Sequence, residues 1–529
     1  MQKSGKLELT WVGKYEEKEI EPRILVENPE LSYGDQDTGN MLIHGDNLIA
    51  LKALEQDYAG QIKCIYIDPP YNTGARINSD GKEVGYDDGV EHSIWLSMML
   101  ERLKILHSLL SEEGSIWISI DEKECHYLKV ACDEVFGRNN YVIQIVIKRG
   151  AVSGHKAINP TPVQICDLLL VYAKNKDKWE YKPVYRKREY DKAYNLFLEN
   201  IENDYKSWKI ISLKDAMNKK GMTIEEMISK YPMQVVRFAQ PDYKSVGQST
   251  RDLIDLSKRT PNEFFLQKRE GYPDIYLQNG NRLLFYKDKL KVIDGKSVTA
   301  ELVTNLWDDM NYQGIANEGG VTFQKGKKPE IQIKRVFEMA TNEGDLVLDS
   351  FLGSGTTIAV AQKMNRRWIG IELGPHCYSH CKKRIDTVID GDQTGISKSI
   401  NWKGGGGYKF YELAPSLLVP NPKIPSIKQI NPEYTFEQLC EAICKIEGFK
   451  YKPESNMHGR SSEKRFIHIA KDFVNGEYVN SILSTLADDE SVLIYGTKIQ
   501  SGLRLPSNVE VKKIPKDLLD KCTFESEVR

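Results

Sequence analysis

The sequence predicts an α/β fold built on a doubly wound, mostly parallel sheet. Three observations carry that expectation. Short apolar runs alternate with helical patterns over residues 41–147. The same alternation returns at 329–390, after a long interval without it. Two of the apolar runs end on an acid, Asp68 and Asp349, each directly before a turn signal. Strands that alternate with helices form βαβ units, and such units pair in parallel.

The elements follow in order. "QIKCIYI" reads as a strand, and Pro69 and Pro70 stop it because proline cannot donate to a sheet. "EHSIWLSMMLERLKILHSLLSEEG" repeats apolar residues at helical spacing and is expected to close on Gly114. "SIWISI" is a strand, "KECHYLKVACDEVFG" a helix closing on Gly137, and "YVIQIVI" a further strand. Residues 148–305 break the rhythm and read as a polar, tyrosine-rich insert. After it, "KPEIQIKRVFEMATNEG" is helical, "DLVLDS" a strand, "FLGSGTT" a turn, "IAVAQKMN" a helix and "RRWIGIEL" a strand. The glycines 404–407 and Pro415, Pro420, Pro422 and Pro425 mark a linker. The expected organisation is a first core half at 1–147 with an N-terminal arm 1–35, an insert at 148–305, a second core half at 306–400, a linker at 401–429 and a small α/β domain at 430–529.

Bulk properties exclude several classes. At 529 residues the chain has ample length for a buried core. Nine scattered cysteines form no paired framework and read as reduced cytoplasmic thiols. The first residues lack the apolar core of a signal peptide, and no apolar run is long enough for a transmembrane helix. Net charge is only −2, so a nucleic-acid surface has to be local. One candidate exists. Between Lys148 and Lys192 eleven Lys/Arg face five Asp/Glu. Lys148, Arg149, Arg186, Lys187 and Arg188 are the candidate phosphate contacts, against the plainer reading of a solvated surface.

Two motifs carry chemistry. In "VLDSFLGSGTTIAVAQ", Gly353 and Gly355 lie in a strand-to-helix turn, where glycine lets a backbone approach a ligand. No Lys follows, so this is not a phosphate-cradling Walker loop. The next strand ends in Glu372, where nucleotide-binding folds hold ribose hydroxyls. Together they point to an adenosine-containing cofactor. In "DPPY", the Asp68 carboxylate stands beside the rigid carbonyl of Pro69, and Tyr71 offers an aromatic plate. Two acceptors facing one point suit an NH₂ group, and the tyrosine could stack on the ring that bears it. Hydrogen bonds from both N–H groups would favour a pyramidal nitrogen with its lone pair aimed at an electrophilic methyl carbon. "HCYSHC" (376–381) has poor spacing for a tetrahedral metal site, and no metal is assigned. No Pro-Cys dipeptide occurs, which counts against cytosine C5 methylation.

With these motifs the chain resembles β-class DNA amino-methyltransferases, and most of all the modification subunit of type III restriction–modification systems. "NMLIHGDNLIALKALEQDYAGQIKCIYIDPPYNTG", "HSIWLSMMLERL", "GSIWISIDEKE" and "DLVLDSFLGSGTT" carry the likeness. The resemblance implies a permuted, Rossmann-like methyltransferase sheet with an inserted target-recognition domain. It implies that Asp68, Pro69, Pro70 and Tyr71 hold a flipped adenine. It implies that Asp46, Asp349, Phe351, Gly353, Gly355 and Glu372 border S-adenosylmethionine; read alone, Asp46 could equally cap the following helix. Lys328 and Pro329 stand where the family places a Lys-Pro, in a more basic setting. The implied partners are double-stranded DNA, a second copy of the chain and an ATP-dependent restriction (Res) subunit. The expected activity is adenine-N6 methylation in the cytoplasm. The alternatives are cytosine-N4 methylation, a DNA-recognition and assembly subunit for a nuclease, and an RNA or protein amine methyltransferase.

Overall fold

The computed structural model describes residues 8–16, 20–72, 91–150, 162–293, 295–312, 314–323, 326–522 and 524. Parts of the N-terminal arm (1–7 and 17–19) and of the basic stretch (151–161) lie outside the described residues. The chain forms two compact units, Met1–Lys182 with Asn305–Arg529, and Pro183–Thr304.

The first unit is organised by one sheet. Its strands are β1 (Leu25–Glu27), β2 (Met41–His44), β3 (Ile62–Ile67), β4 (Leu110–Ile120), β5 (Tyr141–Lys148), β6 (Cys166–Ala173), β7 (Leu306–Trp307), β8 (Leu346–Asp349), β9 (Arg367–Glu372) and β10 (Gly407–Leu413). Their order in the sheet is β1-β10-β2-β9-β8-β3-β4-β6-β5-β7, and the two-residue strand Tyr33–Gly34 also pairs with β10. Every neighbouring pair from β10 to β4 is parallel. β6 runs antiparallel to both β4 and β5. Strands buried on both faces read as continuous apolar runs, and β3 is such a strand: Ile62, Cys64, Ile65, Tyr66 and Ile67 are all buried.

Helices cover the faces: α1 (Asn47–Tyr58), α2 (His92–Leu109), α3 (Glu122–Cys132), α4 (Glu330–Ala340), α5 (Thr356–Lys363) and α6 (Lys383–Ile389). Asp46 and Asp121 start α1 and α3 by accepting hydrogen bonds from the first free backbone N–H groups. The parallel strands end together on one edge, with His44, Asp68, Asp121, Asp349 and Glu372 at or just past their tips. The winding reverses at β8. Its chain successor β9 lies on one side, and β3, from the other end of the sequence, lies on the other. Open α/β sheets bind ligands at such a switch point.

Three boundaries differ from the sequence reading. Gly114 does not end α2; it lies inside β4, at an irregularity in the pairing with β3. A side chain there would meet the Ile62 carbonyl at 2.7 Å, so the glycine is required by close strand packing. The insert begins later than 148, because β6 is a core strand and the second unit starts at Pro183. Within 401–429, β10 is a core strand too, and its glycines serve close backbone approach: a Cβ on Gly407 would lie 2.2 Å from Asp35 backbone atoms. The tail beyond 430 carries a five-stranded sheet within the first unit, and Ile24 belongs to its apolar cluster.

The second unit holds a six-stranded sheet, in chain terms 209–212, 196–199, 235–239, 281–285, 275–278 and 265–267. It also holds a three-stranded sheet of Leu290–Ile293, Lys296–Leu302 and Tyr185–Lys187. All their pairings are antiparallel.

A fully buried ion network ties the helices of the second core half. Glu330 of α4 receives Lys363 Nζ of α5 at 2.9 Å and Arg384 of α6 at 2.9 Å. Lys363 also pairs with Asp392 at 2.7 Å. Removing one partner of such a network strands the others in a low-dielectric interior. Glu330→Ala is therefore expected to cost about 3–5 kcal/mol, measured by urea unfolding; a loss under about 1 kcal/mol would refute the network's structural role.

Candidate active site

Asp68 follows β3, and its two carboxylate oxygens face different partners. Tyr71 Oη donates to Oδ1 at 2.8 Å, and Lys328 Nζ lies 2.9 Å from Oδ2. Lys328 also donates to Tyr71 Oη at 2.8 Å and sits over its ring at 5.0 Å. Ser119 of β4 shares the Tyr71 hydroxyl at 2.8 Å. Burial, then the charge of Asp68, push the Tyr71 hydroxyl well above its ordinary pKa, so it stays a donor. The double proline is fixed from below: Trp95 Nε1 of α2 donates to the Pro70 carbonyl at 2.8 Å. Asn72, with φ of 53°, closes the turn by donating to Glu124 of α3 at 2.9 Å.

The glycine turn stands on the adjacent strand. Gly353 and Gly355 have φ of 56° and 77°, a region that favours glycine. A Cβ on Gly353 would meet nothing within 4 Å, so this face of the turn is open. Glu372 holds the turn: its carboxylate accepts from Gly353 N at 2.7 Å and from Gly374 N at 2.9 Å, with His376 Nε2 3.0 Å away. Cys381 donates from below to the Gly353 carbonyl at 3.0 Å. Asp349, buried beneath, accepts from Phe351 N at 2.9 Å and Thr357 Oγ1 at 2.5 Å. Burial pushes its carboxyl up to about 7 despite these two bonds.

The structure thus brings Asp68, Pro69, Pro70 and Tyr71 together with Asp349, Phe351, Gly353, Gly355 and Glu372 on one edge of the sheet. Asp46 is the cap of α1, accepting from Leu48 N and Ile49 N, and Arg102 lies 3.5 Å from its other oxygen. The five basic candidates are divided. Lys148 and Arg149 belong to the first unit, where Arg149 Nε lies 2.9 Å from Asp167. Arg186, Lys187 and Arg188 belong to the second, where Arg186 and Arg188 both pair with Glu301. Among the described residues no group of three or more His, Cys, Asp or Glu side chains could hold a metal ion.

Several contributors escaped sequence reasoning. Asn47 bridges the ends of β2 and β8 by donating to the Ser350 carbonyl at 2.7 Å. Ser119 and Asp167 sit within apolar strands, and only their polarity amid buried neighbours marks them. Lys328 had a family position but no chemical role. Its neighbour Lys327 turns away, donating to the Ala316, Glu318 and Val321 carbonyls.

An acid at one strand end, beside a glycine turn held by a second acid across the switch point, defines a doubly wound α/β protein of the nucleotide-cofactor type. The chain belongs to the DNA methylase family of N6/N4 methyltransferases, whose model matches residues 62–383. It is 35% identical over 441 residues to the probable type III restriction-modification enzyme HindVI Mod subunit of Haemophilus influenzae, an alignment covering 76% of this chain and 58% of that protein. The chain therefore spans 58% of the length of that relative. It is 24% identical over 588 residues to the type III restriction-modification enzyme EcoP15I Mod subunit of Escherichia coli, covering 95% and 89%. Among solved structures, the M1.HpyAVI–SAM complex is similar over 65% of this chain and 99% of that one, at 15% identity and a TM-score of 0.31.

The raised pKa of Asp349 has a measurable consequence. An unfolded aspartate titrates near about 3.9, whereas this one keeps its proton up to about 7 when folded. Its contribution to stability is fully present below the unfolded value and is lost as pH rises through the folded one. Between pH 5 and pH 8 the wild-type chain is expected to lose on the order of 2 kcal/mol more stability than Asp349→Asn. Chemical denaturation at both pH values checks this, and equal losses in the two proteins would refute it.

Proposed function

We propose that the chain is a sequence-specific DNA adenine-N6 methyltransferase that uses S-adenosylmethionine and serves as the modification subunit of a type III restriction–modification system. The observation that carries this reading is the parallel neighbourhood of β3 and β8, which sets the Asp68 carboxylate beside the open glycine turn. Membership of the DNA methylase family and the two Mod-subunit relatives support it.

The residues fit the cofactor. The Gly353 face is open, and its backbone is fixed by Glu372. Gly353, Gly355 and Phe351 would border the nucleoside. Glu372, at the tip of β9, would face the ribose hydroxyls, and Asp46 and Asp349 would act by fixing the loops that carry the site. When bound, S-adenosylmethionine supplies the electrophilic methyl group. Asp68 and the Pro69 carbonyl accept hydrogen bonds from the target amine, which lifts its lone pair out of conjugation and aims it at that carbon. The amine gives up one proton as its new N–C bond forms, and Asp68 is the nearest base. Asp68 rather than Ser before the prolines favours adenine over cytosine.

The target amine lies inside a duplex, so the base must flip out, at a cost of a few kcal/mol. Lys148, Arg149, Arg186, Lys187 and Arg188 are the proposed phosphate contacts, and binding should weaken steeply with salt. Double-stranded DNA as substrate, a homodimer, a Res subunit as ATP-dependent partner and a cytoplasmic location complete the proposal.

Incubating the purified chain with duplex DNA and methyl-labelled S-adenosylmethionine, followed by nucleoside mass spectrometry, tests the reading. N6-methyladenine is expected; N4-methylcytosine overturns the choice of base, and no transfer overturns the enzyme. Asp68→Ala should lower the transfer rate at least about 10³-fold while cofactor affinity changes less than about threefold. Gly353→Val should do the opposite, weakening cofactor binding at least about 100-fold by filling the open face and straining φ; calorimetric titration with S-adenosylmethionine separates the two.

A further inference from the structure

We propose that Lys328 is a sliding counter-ion: it neutralises Asp68 while no amine is bound and moves onto the buried carboxylate of Asp167 when an amine takes its place. The proposal rests on the methyltransferase reading, and it makes Lys328 and Asp167 positioning residues.

The geometry points both ways from one ammonium. Asp167 is the second residue of β6, and the antiparallel run of that strand brings its start to the edge where the parallel strands end; Leu168 faces Ile120. Asp167 is 1% exposed, yet neither of its carboxylate oxygens accepts a hydrogen bond. Its charge is balanced by Arg149, 2.9 Å from Oδ1 but not aligned to donate, and by Lys328, 3.8 Å from Oδ2. A buried carboxylate without donors is costly, and a donor within reach will be drawn to it.

Asp68 presents the complementary difficulty. Tyr71 occupies Oδ1 and Lys328 occupies Oδ2. An entering amine competes with both for the carboxylate's lone pairs, and with Lys328 for the space at Oδ2. Tyr71 is anchored through Ser119, whereas Lys328 needs a shift of only about 1 Å to bring its 3.8 Å separation from Asp167 into hydrogen-bond range. That shift frees Oδ2 for an N–H of the amine and brings a donor to Asp167. Base entry and counter-ion movement are then one exchange.

Single-turnover methyl transfer measured against pH in wild type, Lys328→Met, Asp167→Asn and the double variant tests this. The groups facing Asp68 are Lys328, Tyr71, Tyr66, Tyr312, Asp167 of β6 and Asp349 of β8. Asp167→Asn should pin the lysine on Asp68 and slow transfer at least about tenfold at unchanged cofactor affinity. Lys328→Met leaves Asp68 with the Tyr71 hydroxyl but without its adjacent cation, and its acid limb should move up by about one pH unit. The double variant should recover most of the rate lost in Asp167→Asn, with an acid limb near that of wild type. Losses that simply add, or a Lys328→Met profile with an unmoved limb, overturn the sliding counter-ion and leave the methyltransferase reading intact. Absence of transfer by the wild-type chain overturns both. Should the variants not fold, a crystal structure of the wild-type chain with duplex DNA and a flipped base decides: a Lys328–Asp167 distance under about 3.2 Å is expected, and an unchanged 3.8 Å overturns the proposal.

Discussion

The pairing of β3 with β8, Cys64 against Val347 and Ile65 against Leu348, is the constraint on which the rest depends. It joins two segments separated by about 280 residues. Parallel neighbours lie about 4.8 Å apart and run the same way, so whatever follows Ile67 must stand beside whatever follows Asp349. Neither motif is a site alone. "DPPY" without the glycine turn is a blocked strand end, and the turn without "DPPY" is a tight β–α connection. The apolar run of β3 buries the centre of the sheet, and the buried ion network under α4, α5 and α6 ties together the helices of the second half.

A second theme is the management of negative charge at one edge. Asp68, Asp121, Asp167, Asp349 and Glu372 gather there, and each is compensated in its own way. Glu372 takes backbone N–H groups, Asp121 caps a helix, and burial pushes the Asp349 carboxyl up to about 7. Asp68 and Asp167 share the cation Lys328.

Much of this was legible in the sequence, for reasons that differ by residue. Asp68 announced itself because prolines forbid a strand to continue, so the acid before them had to lie at a strand tip. Gly353 and Gly355 announced a turn because they sit between a strand pattern and a helix pattern, and Glu372 fell at the end of the following strand. What failed were places where one residue type serves two purposes. The glycines at 404–407 read as a linker, but they allow backbones to touch beside β10. Gly114 read as a helix end, but it accommodates a strand irregularity. Asp167 and Ser119 are single polar residues in apolar strands, and nothing in their local spacing says which partner they meet, since the partners come from Lys328 and Tyr71 across the sheet. Long-range charge pairing leaves no local periodicity to read.

The order of the two halves has a consequence for synthesis. The central strand β3 leaves the ribosome early, but its partner β8 follows only after the whole second unit has been made. At about 5–20 residues per second, the delay is roughly 15–55 seconds. During that time one side of β3, a strand buried on both faces, has no neighbour. The nascent first half must be shielded or remain loosely collapsed until the glycine-turn segment arrives to close the sheet.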